Sequence, residues 1–262
     1  MEYSIVVPVH NEAQHLEVQV KRFIQSLTAD LASIVREIIL VENGSTDGTL
    51  KVCRSLESLY PSLVRIISIA RGSYGEAIKC GMLDSRGTHL SILECDFLDP
   101  DFVSCSVAVF RATNTEVIVG SKRHPEAVDK RPFKRRALTY LYNTFFLRLC
   151  MGYPGTDTHG LKSFQTHIAK GLCEKAITTD EVLQTEIILL AWRNGLRIKE
   201  IPVNICETRC TSISIARRLP KVINTIRELR DSLNRFPPLP PATAETPVNL
   251  RTLPKTEVSS NK

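Results

Sequence analysis

The chain has 262 residues, with 34 Lys or Arg against 28 Asp or Glu and a net charge of +6. Hydrophobic residues make up 43%, charged residues 24%, and the mean hydropathy is -0.05. This is a globular composition that excludes whole-chain disorder and fibrous repeats, and so mild a basic excess gives no case for a nucleic-acid partner. The eight cysteines are scattered through apolar stretches without a C-x-x-C pair, so neither a disulfide framework nor a zinc site is expected. The opening MEYSIVVPVHNE lacks the basic and cleavable segments of a secretory signal, and no apolar run reaches the length of a spanning helix. A reducing cytoplasm is the expected compartment.

In chain order, SIVVPV (4–9) is a β-branched run suited to a buried strand. Leu16, Val20, Phe23, Ile24 and Leu27 then fall at helical spacing. EIILVE (37–42) is a second strand and NGSTDGT a dense turn; Leu50, Val52, Leu56 and Leu59 form the next helical face. VRIISIA (64–70) predicts a third strand, Ala77, Ile78, Gly81 and Met82 a helix, THLSILECD (88–96) a fourth strand and TEVIVGS (115–121) a fifth. Strands apolar on both faces and alternating with helices predict an α/β fold: a mostly parallel twisted sheet with helices on both faces. Ligands of such sheets sit beyond the carboxyl ends of the strands. That singles out the loops 8–12, 42–48, 70–76 and 94–99.

The second half reads differently. Residues 122–136 hold seven Lys or Arg against Glu126 and Asp129. The apolar stretch Leu138–Met151 beside this basic loop has two readings: a surface that touches a membrane, or an ordinary core or dimer helix. A Gly/Pro turn (GYPGTDTHG), a helix over about 180–192, a strand over 197–205 and a last helix over about 216–234 follow. From Phe236 onward, 27 residues hold six of the fourteen prolines. The expected organisation is therefore one domain over 1–235, ending in C-terminal helices, and a disordered tail over 236–262.

Four constellations carry chemistry. Glu94 and Asp96 flank Cys95 at the end of the fourth strand, and in an extended segment both carboxylates would face one hard cation such as Mg²⁺ or Mn²⁺; two surface acids are the plain alternative. Glu42 ends a strand, where a carboxylate can accept from a ribose hydroxyl or a base edge. Asp47 reads better as a helix cap. RGSYGEA, starting at Arg71, offers glycines and a helix N-terminus to an anion, although turn-making explains it equally. Arginines of the basic loop would offset charge on a leaving diphosphate, with a solvated loop as the alternative for most of them. His10 and His159 read as packed or hydrogen-bonded rather than catalytic.

In this order, SIVVPVHNE, VENGSTDGT, RGSYGEAIKCG, LECDFLDPDF and VGSK resemble family 2 glycosyltransferases of the GT-A fold. DTHGLKSF, GLRIKEIPV and Arg209 resemble the polyprenyl-phosphate (dolichol-phosphate) mannosyl- and glucosyltransferase branch, and the likeness spans about 3–216. The resemblance implies a nucleotide-sugar donor, a divalent Mg²⁺ or Mn²⁺, and inversion at the anomeric carbon. It places Pro8, His10, Glu12, Glu42, Arg71, Glu94, Cys95, Asp96, Lys122, Arg136 (or Arg135) and Asn143 around the donor. Glu94 and Asp96 match the D-x-D metal motif, and Asp96, Asp157 and Arg209 are the residues given catalytic roles. The sequence departs from the pattern at Glu94-Cys95-Asp96, at Leu98 where Gln is frequent, and at Ser212 and Ile215, which replace Gly and Lys.

The implied activity is transfer of a hexose from a GDP-mannose or UDP-glucose type donor to a polyprenyl phosphate, at the cytoplasmic face of a membrane. A phosphate acceptor is already anionic, whereas a sugar hydroxyl would need a base, for which Asp180 and Glu181 stand as candidates or as helix caps. The rival readings are a non-catalytic nucleotide-sugar binder, motivated by the altered metal motif, and transfer to a sugar hydroxyl. A pyrophosphorylase-like enzyme ranks last, because VPVHNEAQHL lacks a Gly-rich basic loop after the first strand.

Overall fold

The computed structural model describes residues 1–70, 72–128, 140, 142–204 and 228–235, and excludes the side chains at 142, 143 and 145. Its strands are β1 (Tyr3–Val9), β2 (Val35–Asn43), β3 (Val64–Ile69), β4 (His89–Ile92), β5 (Val117–Ser121), β6 (Lys162–Gln165) and β7 (Ile198–Pro202). They form one sheet in the order β3-β2-β1-β4-β6-β5-β7. The helices are α1 (Leu16–Ser26), α2 (Ala29–Ile34), α3 (Thr49–Leu59), α4 (Tyr74–Asp84), α5 (Pro100–Ala112), α6 (Thr166–Lys175) and α7 (Leu183–Arg193), with a π-helical segment at Tyr142–Cys150.

Every residue of β1 is buried because both faces of the sheet are covered. Tyr3, Ile5, Val7 and Val9 point to one face, against Leu16 and Val20 of α1, Cys53 and Leu56 of α3 and Val103 of α5. Val6 points the other way, toward Ala77 and Met82 of α4, Leu172 of α6 and Ile187 of α7. Each fully buried aliphatic side chain contributes about 1.5–3 kcal/mol.

The sheet is mostly parallel, as the sequence predicts, and β6 makes it mixed by running antiparallel to both β4 and β5. Residues 122–161 leave the carboxyl end of β5 and re-enter the sheet at that same end, so the inserted strand has to run backwards. Helices α2, α5 and α6 are also additions to the reading. α5 starts where Asp99 accepts from the backbone N–H groups of Asp101 (2.9 Å) and Phe102 (3.1 Å), with Pro100 in the first turn. Strand β4 ends at Ile92, short of residue 96. In the π-helical segment Phe146 and Leu147 are buried while Leu149 is 73% exposed, so the stretch has one core face and one outward face.

His89, on β4, stacks on Tyr3 with ring centroids 6.1 Å apart and lies 4.7 Å from the Phe110 ring. Burial lowers its pKa from 6.5 to about 4. Below about pH 6.5 the unfolded imidazole takes up a proton that the folded one refuses, so acid favours unfolding until about pH 4. Urea unfolding across this window should show a stability loss that His89→Phe reduces. Equal losses in the two proteins would remove His89 as a source of the acid sensitivity.

Candidate active site

The carboxyl ends of the strands bring the predicted loops together. After β1 the chain turns sharply at Asn11, the one described non-glycine residue with positive φ (54°). Its N–H donates to Ser45 Oγ (3.0 Å), and its Oδ1 accepts from the Thr46 N–H (2.9 Å). The Glu12 N–H donates to Thr49 Oγ1 (2.8 Å) and the Ala13 N–H to Asp47 Oδ2 (3.1 Å). Asp47 is not the cap residue of α3; Gly48 is, at φ 93°. Asp47 instead accepts from the Thr49 N–H at 3.1 Å while tying the first loop to the second.

His10 Nδ1 lies 2.7 Å from the Asn43 carbonyl oxygen, which can only accept, so Nδ1 carries the proton. Nε2 is then left to accept from Asn11 Nδ2 at 3.0 Å. Asn43 Oδ1 in turn accepts from the Ser73 N–H (2.6 Å), which docks the third loop. Glu42 is 3% exposed and accepts from the Ser45 N–H (2.5 Å) and from Ser68 Oγ (2.8 Å). Burial alone would raise its pKa, but these hydrogen bonds outweigh it and hold the carboxyl below its usual value. A fixed anion therefore sits at the carboxyl end of β2, opposite Val9 of β1.

The fourth loop corrects the sequence reading. Glu94, Cys95, Asp96 and Phe97 are not extended; they form a tight turn in which the Phe97 N–H donates to the Glu94 carbonyl (2.8 Å). Cys95 is buried in the core, Asp96 is exposed, and Glu94 Oε1 accepts from the Tyr74 hydroxyl at 2.9 Å. Burial, and then the neighbouring Glu94 charge, keep the Tyr74 phenol protonated. Among the described residues no group of three or more His, Cys, Asp or Glu is placed to hold a metal ion. Two carboxylates on one turn are hard oxygen donors of the kind that suits Mg²⁺ or Mn²⁺.

The chain around β5 and β6 supplies the next wall. Asp157, 2% exposed, accepts from the N–H groups of Thr158 (2.8 Å), His159 (3.0 Å) and Lys122 (3.4 Å). This anchors Lys122 beside Gly160, where a Cβ would lie 3.4 Å from the Lys122 Nζ. Lys162 is 1% exposed, and its ammonium donates to the Gly160 carbonyl (2.9 Å) and to Gln184 Oε1. Burial lowers its pKa to about 7 against the pull of Asp157 and Glu94.

Residues 177–180 close the arrangement from behind. The Thr179 carbonyl accepts from the Glu76 N–H (3.1 Å) and from Ser73 Oγ. The approach requires glycine at 75, where a Cβ would come within 2.4 Å of the Thr179 carbonyl. Asp180 Oδ1 accepts from the Val182 N–H (2.8 Å), a turn-forming bond at the entry to α7.

The structure thus gathers Pro8, His10, Glu12, Glu42, Glu94, Cys95 and Asp96 at the carboxyl ends of β1, β2 and β4, and Lys122 and Asp157 beyond β5. Arg71, Arg135, Arg136 and Arg209, the Asn143 side chain, Ser212–Ile215, Cys206, Cys210 and the tail 236–262 lie outside the description. Tyr74, Lys162 and Gln184 escape the sequence reading. Their signal was a Lys and a Gln-Thr-Glu run at positions where an otherwise apolar strand and helix bury their side chains.

Dolichyl-phosphate beta-glucosyltransferase of Dictyostelium discoideum is 27% identical over 216 residues, covering 78% of this chain and 66% of that protein. The Saccharomyces cerevisiae enzyme of the same name is 26% identical over 232 residues, covering 81% and 69%. The chain therefore spans about two thirds of the length of these relatives. Glucosyl-3-phosphoglycerate synthase from Mycobacterium tuberculosis, solved in complex with UDP, superposes with a TM-score of 0.64 at 18% identity, over 89% of this chain and 80% of that one. That likeness is one of fold. The profile of Glycosyl transferase family 2 matches residues 4–168, most of the described sheet and the four loops at its carboxyl edge, and the chain belongs to that family.

Proposed function

We propose that the chain is an inverting hexosyltransferase that moves a sugar, glucose before mannose, from a nucleoside diphosphate to a polyprenyl phosphate. The observation that carries this reading is the exposed Asp96 carboxylate on the turn that also presents Glu94, at the edge of the sheet where β2 ends in the buried, ionised Glu42. Glu42 and the loop around His10 would receive the nucleoside. Asp96 and the free oxygen of Glu94 would hold Mg²⁺ or Mn²⁺, which when bound supplies Lewis-acid stabilisation of the departing diphosphate. Lys122 and, from outside the described residues, Arg136 and Arg209 would add positive charge there.

The acceptor oxygen attacks the anomeric carbon opposite the diphosphate. One C–O bond forms, the other breaks, and its electron pair leaves with the nucleoside diphosphate. A phosphate acceptor is ionised at neutral pH and needs no protein base. The names of the matched relatives, dolichyl-phosphate beta-glucosyltransferases, support a polyprenyl phosphate and glucose. The fold neighbour named for a phosphoglycerate acceptor, solved with Mn²⁺ and UDP-glucose, supports the donor and metal but supplies the rival acceptor. The outward Leu149, and Tyr140 with the Arg123 guanidinium 4.6 Å above its ring, are apolar and basic groups suited to a bilayer surface. Among the described residues no helix is long and apolar enough to cross a membrane.

The test is transfer of labelled hexose from UDP-glucose or GDP-mannose, with Mn²⁺ or with EDTA, to a polyprenyl phosphate or to 3-phosphoglycerate. We expect a lipid-linked product from UDP-glucose that EDTA abolishes. Transfer to phosphoglycerate alone would overturn the acceptor. If no nucleotide gives turnover or raises the melting temperature, the donor site itself is refuted.

A further inference from the structure

Behind the Glu94 carboxylate runs a chain of side-chain hydrogen bonds from four different elements. Gln184 on α7 is 2% exposed. Its Oε1 accepts from the Gly160 N–H at 3.1 Å and from the Lys162 ammonium. The Gly160 N–H can only donate, so it fixes which end of the amide faces it. Nε2 must then face Tyr74, and it donates to the phenol oxygen at 2.6 Å. With its oxygen engaged by that donor, the phenol spends its one proton on Glu94 Oε1, at 2.9 Å. Each bond therefore has a single possible sense, from Lys162 through Gln184 and Tyr74 to Glu94. Nothing in the sequence spacing connects these residues, and no part of the transfer chemistry described above requires them.

We infer that Tyr74, Gln184 and Lys162 form a positioning relay that occupies one oxygen of Glu94, leaving the other as a single oriented ligand for the divalent cation. The inference rests on the reading of Glu94 and Asp96 as the metal carboxylates. The relay answers a defect in the site: Glu94 has one more methylene than an aspartate and so more orientations to lose. A carboxylate pinned by a buried phenol loses that freedom before the metal arrives. Outer partners of this kind typically tune metal affinity by about 10–100-fold.

The decisive variant is Gln184→Glu. It preserves shape, keeps the acceptor facing Gly160 and Lys162, and gives the buried ammonium a counter-ion, so the fold is retained. Its second oxygen accepts instead of donating, which draws the Tyr74 proton away from Glu94. Tyr74→Phe removes the same proton directly. Mn²⁺ binding is measured by electron paramagnetic resonance in the presence of UDP or GDP, whichever raises the melting temperature. We expect both variants to bind Mn²⁺ about 10–100-fold more weakly than the wild type, at melting temperatures close to it without nucleotide. Wild-type Mn²⁺ affinity in the folded Gln184→Glu and Tyr74→Phe proteins would overturn the relay. If the wild type binds Mn²⁺ and Asp96→Ala abolishes it, the metal reading stands and only the relay is at stake. Mn²⁺ binding that is absent from the wild type would overturn both.

Discussion

Asp96→Ala should reduce sugar transfer by at least about 10³-fold, the loss of several kcal/mol of transition-state stabilisation at the leaving diphosphate. The residue is exposed on the turn that follows β4 and carries no hydrogen bond among the described residues, so its removal leaves the core untouched. The variant should melt at the wild-type temperature without nucleotide and lose the metal-dependent part of the stabilisation that nucleotide provides. Cys95, buried beneath the turn, holds it in place whether or not Asp96 is present. Full transfer by this variant would rule out the metal role of Asp96. Asp96→Asn separates charge from shape, since the amide keeps one oxygen but not the negative charge that a hard cation requires.

The second large effect concerns stability. Glu186 is fully buried on α7, and its carboxylate accepts from the N–H groups of Ile177 (2.9 Å) and Thr178 (2.9 Å), from Thr178 Oγ1 (2.5 Å) and from Ser232 Oγ. Glu186→Ala strands the Thr178 and Ser232 donors in the interior, where each unsatisfied group costs about 1–3 kcal/mol. A loss of at least about 3 kcal/mol is expected in denaturant unfolding. The damage reaches the site, because Ile177 and Thr178 lead directly into Thr179, the carbonyl that receives the N-terminal turn of α4. Weaker nucleotide binding should therefore accompany the stability loss in Glu186→Ala. A variant as stable as the wild type would mean that water replaces the carboxylate and that the clamp is dispensable.

The donor half of the molecule was legible because its strands are unbroken apolar runs and its loops hold carboxylates that the core cannot use. β1, β2, β3, α1, α3 and α4 follow directly from period and punctuation. The extended reading of Glu94–Asp96 failed because the pairing of β4 with β1 ends at Ile92, after which backbone geometry is set by the Glu94–Phe97 turn. β6 was hidden by its composition. Four residues that include a Lys and a Ser look solvated, yet Ser163 finds Ser91 at 2.6 Å and Ser106 at 3.0 Å, and Lys162 finds Gln184. Such partners are distant in sequence, and local patterning does not register them. α5 carries its signals openly, with Asp99 and Pro100 ahead of a buried face of Phe102, Val103, Val107 and Phe110. Glu42 was readable from its place at a strand end. Tyr74 was not, because its role comes from a partner 110 residues away.

The backward strand β6 also sets an order of assembly during synthesis. β1 through β4, with α1, α3 and α4, are complete once residue 92 has been made, and their parallel pairs close among neighbours. β5 has no place beside β4 until β6 arrives between them, some forty residues later. A ribosome-bound chain can therefore pair β1 with β2 and β4 while the strand that carries Lys162 is still unmade.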